Sequence, residues 1–258
     1  MKPYYEQDGI VIYHGDCREI LPQIAQVDHV ITDPPYGQRV YDNAKGLQRA
    51  EMTQDEQRRR GHSLMQMADG AIGSIDGMVD ALGVEFGRIA RRWVVVFSDV
   101  EMCFRWRASV EAGGLRYVRT GAWVKPDAMP QMTGDRPAVG FEPCTIAHAK
   151  GKMRWNGGGR QAVWIYNTAK GSDRPDHPCP KPESLMCEIV QQFTDLGELI
   201  LDPFMGSGTT LVAAKRLGRK AIGIELQEQY CEIAAKRLAQ GSLFSAGRSV
   251  WEESETPA

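Results

Sequence analysis

The chain has little that would hold it together covalently or in a membrane. Its six cysteines are scattered over 258 residues, no two of them form a C-x-x-C pair, and no histidine set stands near them. That excludes a disulfide framework and a structural zinc site as expectations. Cys17, Cys144, Cys187 and Cys231 fall in apolar stretches and read as small buried hydrophobes. No uninterrupted apolar run is long enough to cross a bilayer, and no signal-peptide pattern opens the sequence. The expectation is a cytoplasmic protein without membrane partners. Charge is also lacking in excess: the net value is −2, with 31 basic and 33 acidic residues. No internal repeat is visible. What remains is a chain long enough to bury a substantial core, as one large domain or one domain carrying an insertion.

The most informative stretch is Asp33-Pro34-Pro35-Tyr36. It follows His29-Val30-Ile31-Thr32, a short apolar run that reads as the end of a buried strand. Two prolines stop that strand and stiffen the turn, because each fixes φ and lacks an N–H donor. One carboxylate, one free backbone carbonyl and one aromatic ring are thereby held in a small space. The set suits a planar molecule with an exocyclic amine, such as adenine or cytosine. The carboxylate and the Pro34 carbonyl can accept the two amine hydrogens while Tyr36 stacks on the ring. A proline-rich surface turn is the plain alternative.

A second turn lies near the other end. Glu198-Leu199-Ile200-Leu201 reads as a strand, Asp202-Pro203-Phe204-Met205-Gly206-Ser207-Gly208-Thr209-Thr210 follows, and a helical pattern runs to Leu217. Strand, glycine-rich turn and helix is the arrangement in which backbone amides and a helix N-terminus meet a ligand. The spacing is neither the dinucleotide G-x-G-x-x-G nor a Walker A loop. The next strand, Lys220 to Ile224, ends in Glu225, where an acid commonly pairs with ribose hydroxyls. An ordinary βαβ unit with a solvated Glu225 is the alternative.

Together, DPPY and DPFMGSGTT resemble the motifs of the amino-methyltransferases of DNA, which methylate adenine N6 or cytosine N4 with S-adenosylmethionine. The DPPY motif comes first and the cofactor motif last, as in the β group of that family. The likeness runs from about Val11 to about Leu238. It implies a Rossmann-like α/β methyltransferase fold: a mixed, mostly parallel sheet with an antiparallel hairpin and helices on both faces. Further segments match the family. Ile12-Tyr13-His14-Gly15-Asp16-Cys17 resembles its N-terminal strand, and Gly121 to Pro126 its Trp-x-Lys strand. His177-Pro178-Cys179-Pro180-Lys181-Pro182 resembles its His-Pro-x-x-Lys-Pro segment, with Cys179 and Pro180 in place of the common Thr-Gln.

The resemblance assigns the catalytic role to Asp33, Pro34, Pro35 and Tyr36. It assigns cofactor contacts to Asp16, Cys17, Asp33, His177, Lys181, Asp202, Phe204, Gly206, Ser207, Gly208, Thr209 and Glu225. No metal is implied. Asp33 in the first position favours adenine N6 over cytosine N4, while an amine of RNA or of a protein is a more distant alternative. The implied partner is double-stranded DNA, with a homodimer as a modest expectation, in a prokaryotic or phage setting.

Expected DNA contacts are Arg39, Arg58, Arg59, Arg60 and Lys125, together with Lys150, Lys152, Arg154, Trp155 and Arg160 from a basic, glycine-rich stretch. Phosphate contacts need a local basic face, not a basic protein. A solvated helix face for Arg58 to Arg60, and a hairpin turn for 150–160, are the alternatives. One catalytic domain over 1–258 is expected, with 38–62 as an inserted mobile loop and 126–176 as a short target-recognition region. Residues 63–90 read as largely helical despite five glycines. Strands are expected at 10–15, 28–32 and 92–98, a helix at about 100–112, a hairpin from Tyr117–Lys125 and Glu142–Ala149, and a strand at 162–167.

Overall fold

The computed structural model describes residues 1–37, 75–130, 134–169 and 180–245. Among these residues nine strands form one sheet: β1 (Tyr5–Gln7), β2 (Ile10–His14), β3 (His29–Thr32), β4 (Trp93–Phe97), β5 (Arg116–Val124), β6 (Phe141–His148), β7 (Val163–Ile165), β8 (Leu199–Asp202) and β9 (Lys220–Glu225). Their order is β1-β2-β9-β8-β3-β4-β6-β5-β7. The run β2-β9-β8-β3-β4 is parallel throughout. β6 joins β4 and β5 antiparallel, and β7 runs parallel to β5 at the edge.

The central strands read as continuous apolar runs because both faces are covered. Every residue of β3 and β4 is buried. Alternation then divides them between two cores: Ile31, Val95 and Phe97 face one, Val30, Val94 and Val96 the other. The first core packs under α4 (Glu183–Phe193), α5 (Thr209–Arg216) and α6 (Glu228–Ser245). The second packs under α1 (Cys17–Ile20), α2 (Val79–Ile89) and α3 (Cys103–Ala112). Among the described residues, no helix is long and apolar enough to cross a membrane.

The expected mixed sheet, hairpin and two helical layers are all present. Boundaries shift by a residue or a few: the hairpin strands are Arg116–Val124 and Phe141–His148, and the helix after β4 starts at Cys103. Of the expected helical stretch 63–90, residues 63–74 with Gly70 and Gly73 lie outside the described residues, and two of the remaining glycines have a packing reason. A Cβ on Gly83 would lie 2.0 Å from Ser109 Oγ, and one on Gly87 would lie 1.8 Å from the Gly113 carbonyl oxygen. Their absence lets α2 and α3 approach backbone to backbone, which is worth more here than helix propensity. The expected inserted loop, 38–62, lies outside the described residues.

The parallel strands place their following turns along one edge. Gly15–Asp16 follows β2, Asp33–Gly37 follows β3, Ser98–Met102 follows β4, Pro203–Gly208 follows β8 and Leu226–Gln227 follows β9. Phe97, the last residue of β4, pairs with Cys144. Glu142 and Lys125 therefore extend past the end of β4 onto the same edge. Open α/β sheets bind ligands at this carboxyl edge.

Candidate active site

The Asp33–Tyr36 turn is anchored at both ends. Before it, Thr32 donates its hydroxyl hydrogen to Asp202 Oδ1 at 2.7 Å, and both side chains are buried. After it, the Gly37 amide donates to Asp99 Oδ2 at 3.0 Å, while Asp99 Oδ1 accepts from the Met102 amide at 3.0 Å. The turn is thus tied to the strands on either side of β3 through single carboxylates.

Lys181, Glu142 and Lys125 gather beside it. Lys181 Nζ lies 2.5 Å from Asp33 Oδ2 and 2.6 Å from Glu142 Oε1. Glu142 Oε2 accepts from Lys125 Nζ at 2.7 Å and from the Tyr36 hydroxyl at 3.3 Å. The Lys181 and Glu142 side chains are almost fully buried, whereas Asp33 keeps 28% of its side chain accessible. Lys125 also lies over the Trp123 ring, 4.3 Å from its centroid. Burial works against the Lys181 ammonium, but Asp33 and Glu142 outweigh it and raise its pKa above the ordinary lysine value. Burial likewise works against the Glu142 carboxylate, and Lys181 and Lys125 outweigh that, so its pKa is lowered. For Asp33 burial dominates over Lys181 and the pKa is raised, with Glu142 adding to the rise.

The glycine-rich turn is built as a cradle. Gly206 has φ +50° and Gly208 has φ +80°, a left-handed backbone that side chains disfavour. A Cβ on Gly208 would meet Ala234 Cβ at 2.8 Å. Glu225 Oε2 accepts from the Gly206 amide at 3.1 Å, and Oε1 accepts from the Gln227 amide at 2.8 Å. Arg237, from α6, donates to the Ser207 carbonyl at 2.7 Å and to Thr209 Oγ1 at 3.2 Å. Asp16 caps α1 by accepting from the Arg18 amide at 2.8 Å, and the Gly15 amide donates to the Glu225 carbonyl. Asp16, Glu225 and the 206–209 turn therefore converge. Left-handed glycines beside a helix N-terminus, with two carboxylates at the neighbouring strand ends, fit a ligand carrying a ribose and a cationic amino-acid tail.

Asp202 is 3% exposed and also accepts from the Phe204 amide at 3.1 Å. Burial pushes its pKa up to about 6, against hydrogen bonds from Thr210, Thr32 and Phe204 that lower it. An unfolded aspartate loses its proton near pH 4, so between pH 4 and 6 the folded chain holds a proton the unfolded chain has released. This group therefore makes stability fall as pH rises through that window, by about 3 kcal/mol at most. Asp202→Asn keeps a carbonyl acceptor for Thr32 and Phe204 and removes the titration. The expected result is a stability difference that shifts in favour of the variant from pH 4.5 to 7, read by denaturant titration of both proteins.

Other sequence expectations land differently. Lys181, expected at the cofactor, lies between Asp33 and Glu142. Lys125, expected on DNA, is the partner of Glu142. Cys17 packs its side chain into the core under α2, and burial pushes its thiol up to about 12. Phe204 is partly buried against the same core.

The basic stretch 150–160 is not brought to the catalytic edge. β6 ends at His148 opposite Trp93, the first residue of β4, so the chain leaves at the far edge of the sheet. There the Arg154 carbonyl accepts from Trp93 Nε1 at 2.6 Å, Arg154 pairs with Asp195 at 3.2 Å and Arg160 pairs with Glu188 at 3.1 Å. Trp155 stands edge-on to Phe193 with centroids 4.8 Å apart, and Lys150 and Lys152 are exposed. Glycines, cations and an aromatic serve a crossover turn as well as they would a loop tracking a phosphate backbone. His177, Arg39, Arg58, Arg59 and Arg60 lie outside the described residues.

Sequence reasoning missed Thr32, Asp99, Glu142 and Arg237. Glu142 did carry a signal: an acid next to Pro143-Cys144-Thr145-Ile146-Ala147, all buried in β6, has to be paired. Asp99 had a weaker one, as the polar end of an apolar strand.

A sheet in this order, with the Asp33–Tyr36 turn and the glycine-rich turn on one edge, is that of a Rossmann-like S-adenosylmethionine-dependent methyltransferase. Residues 27–236 match the model of the N6/N4 DNA methylases, and the chain belongs to that family of DNA methyltransferases. It is similar to the Type II methyltransferase M2.LlaDCHI of Lactococcus lactis subsp. cremoris, at 28% identity over 275 residues and 94% of both chains. It is 27% identical to the Type II methyltransferase M2.DpnII of Streptococcus pneumoniae over 92% of each. Among solved structures, the complex of M1.HpyAVI with S-adenosylmethionine matches with a TM-score of 0.65 and 26% identity, covering 89% of this chain and 98% of that one. The cytosine-N4-specific PvuII DNA methyltransferase matches with a TM-score of 0.69 at 17% identity, over 92% of this chain and 88% of that one, a likeness of fold.

Proposed function

We propose that the protein methylates the N6 amine of adenine in duplex DNA, taking the methyl group from S-adenosylmethionine. The observation that carries the reading is the Asp33 carboxylate, held by Lys181 through Oδ2 and still accessible, next to Pro34 and Tyr36. Oδ1 is the oxygen that accepts one amine hydrogen, and the Pro34 carbonyl accepts the other. These bonds favour a pyramidal nitrogen and oppose delocalisation of its lone pair into the ring. Tyr36 offers a stacking face, with its hydroxyl turned to Glu142. The amine lies inside a duplex, so the base has to leave the stack to reach this turn.

Gly206, Ser207, Gly208 and Thr209 with Asp202, Glu225 and Asp16 are the residues that would hold the cofactor. When bound, it supplies a methyl group on a sulfonium, a good electrophile. The protein contributes position and electrostatics, which lower most of the barrier in such a displacement. Thr32–Asp202 contributes directly, since one hydrogen bond joins the end of the acceptor strand to the start of the donor turn.

Adenine is preferred because Asp, at the position of Asp33, is the residue that resembles the adenine-N6 branch. The test is to incubate the protein with unmethylated DNA and the cofactor, digest to nucleosides and weigh them. N6-methyldeoxyadenosine is expected. N4-methyldeoxycytidine in its place would overturn the adenine assignment, and methyl transfer confined to RNA or protein would overturn the duplex-DNA substrate.

A further inference from the structure

Glu142 touches neither the accepting oxygen of Asp33 nor the glycine cradle, yet the groups that position the clamp meet on it. Its side chain is 4% exposed. Lys181 contacts one of its oxygens, and Lys125 and Tyr36 contact the other. A carboxylate this deeply buried is costly unless it is paired, and an apolar residue would fill the same space more cheaply. Its neighbours on β6, Cys144 and Ile146, do so. A packing role alone does not account for a charge there.

The charges of the ion-paired cluster beside Tyr36 balance: Asp33 and Glu142 against Lys125 and Lys181. That balance bears on amine methylation, the reading on which this inference rests. The amine nitrogen gives its lone pair to the methyl carbon as the carbon–sulfur bond breaks and its electron pair goes to sulfur. The nitrogen is then cationic until one of its protons passes to water. With Glu142 neutral, two ammonium groups would oppose that cation, and of the carboxylates paired with them only Asp33 would remain.

We propose that Glu142 is a positioning residue of the methyl-acceptor site, which balances Lys125 and Lys181 and orients Tyr36 so that a cation can form on the amine. The test compares Glu142→Gln, Glu142→Asp and the double variant Glu142→Gln/Lys125→Met with the parent. Single-turnover methylation of unmethylated genomic DNA and calorimetric affinity for S-adenosylmethionine are read for each. Glu142→Gln is isosteric but neutral, and is expected to slow transfer on the order of a hundredfold with cofactor affinity unchanged. Glu142→Asp is shorter but charged, and is expected to be faster than Glu142→Gln, the reverse of what shape alone predicts. The double variant restores the charge balance and is expected to recover about tenfold of the loss.

Parental rates in Glu142→Gln, a glutamine variant as fast as the aspartate variant, or no recovery in the double variant each overturn the proposal. So does loss of cofactor binding in both single variants, since the donor side is separate from Glu142. Asp33→Ala is run beside them. If it is inactive, a failure at Glu142 counts against this inference alone; if it is active, the amine-clamp reading itself falls.

Discussion

Asp33→Ala is expected to lower methyl transfer by a factor of about a thousand or more, since removal of one preorganised group at a reacting centre costs 10²–10³ and Asp33 is also a Lys181 partner. Affinity for S-adenosylmethionine should change little, because no contact of Asp33 reaches the 206–209 turn. The fold should survive as well: Lys181 keeps Glu142 at 2.6 Å, and the Thr32–Asp202 and Gly37–Asp99 bonds that anchor the turn do not involve the lost side chain. Single-turnover transfer of a labelled methyl group, read with calorimetry of cofactor binding, separates the two effects. Transfer at the parental rate by this variant would remove Asp33 from the chemistry.

The second large effect lies on the other turn. Gly208 stands at φ +80° as the N-cap of α5, and any Cβ there meets Ala234 of α6 at 2.8 Å. Alanine at this position incurs about 1–2 kcal/mol for the left-handed backbone and about 1–3 kcal/mol for crowding against a packed helix. The turn relaxes by shifting its amides, so the loss falls on the ligand site as well as on stability. Gly208→Ala is expected to weaken cofactor binding on the order of a hundredfold, the equivalent of about 2.7 kcal/mol. Gly158 supplies the comparison. It has φ +61° and open space where its Cβ would be, on the edge of the sheet far from the cofactor turn. Gly158→Ala should share the backbone strain and leave cofactor affinity as it was. Equal affinity losses in the two variants would show that strain alone, and no local crowding of the cradle, sets the effect.

How far these sites could be read in advance depends on how locally each is made. Proline after strand β3 and glycine between β8 and α5 act through their own backbones, so DPPY and DPFMGSGTT were recognisable as turns without knowledge of their neighbours. Hydrophobic runs marked β3, β4 and β8 for the same reason. The short first hairpin went unread although Asp8-Gly9 is a turn pair with positive φ at both residues, because β1 is polar and only three residues long. The place of the basic stretch 150–160 went unread for a related reason: composition describes what a loop is made of, and the direction of β6 decides which edge it lies on.

The sequence by itself determined two turns that follow buried strands, their order along the chain, and a sheet to carry them. Each follows from backbone restrictions and periodicities that span only a few residues. The tertiary structure alone decided what surrounds Asp33. Thr32 meets Asp202 from 170 positions away, and Tyr36 meets Glu142 from 106. Lys181 and Lys125 became partners of the buried Glu142. Such pairs depend on strand order, register and the energetic need to neutralise a buried charge. None of those quantities is expressed in the spacing of residues along the chain.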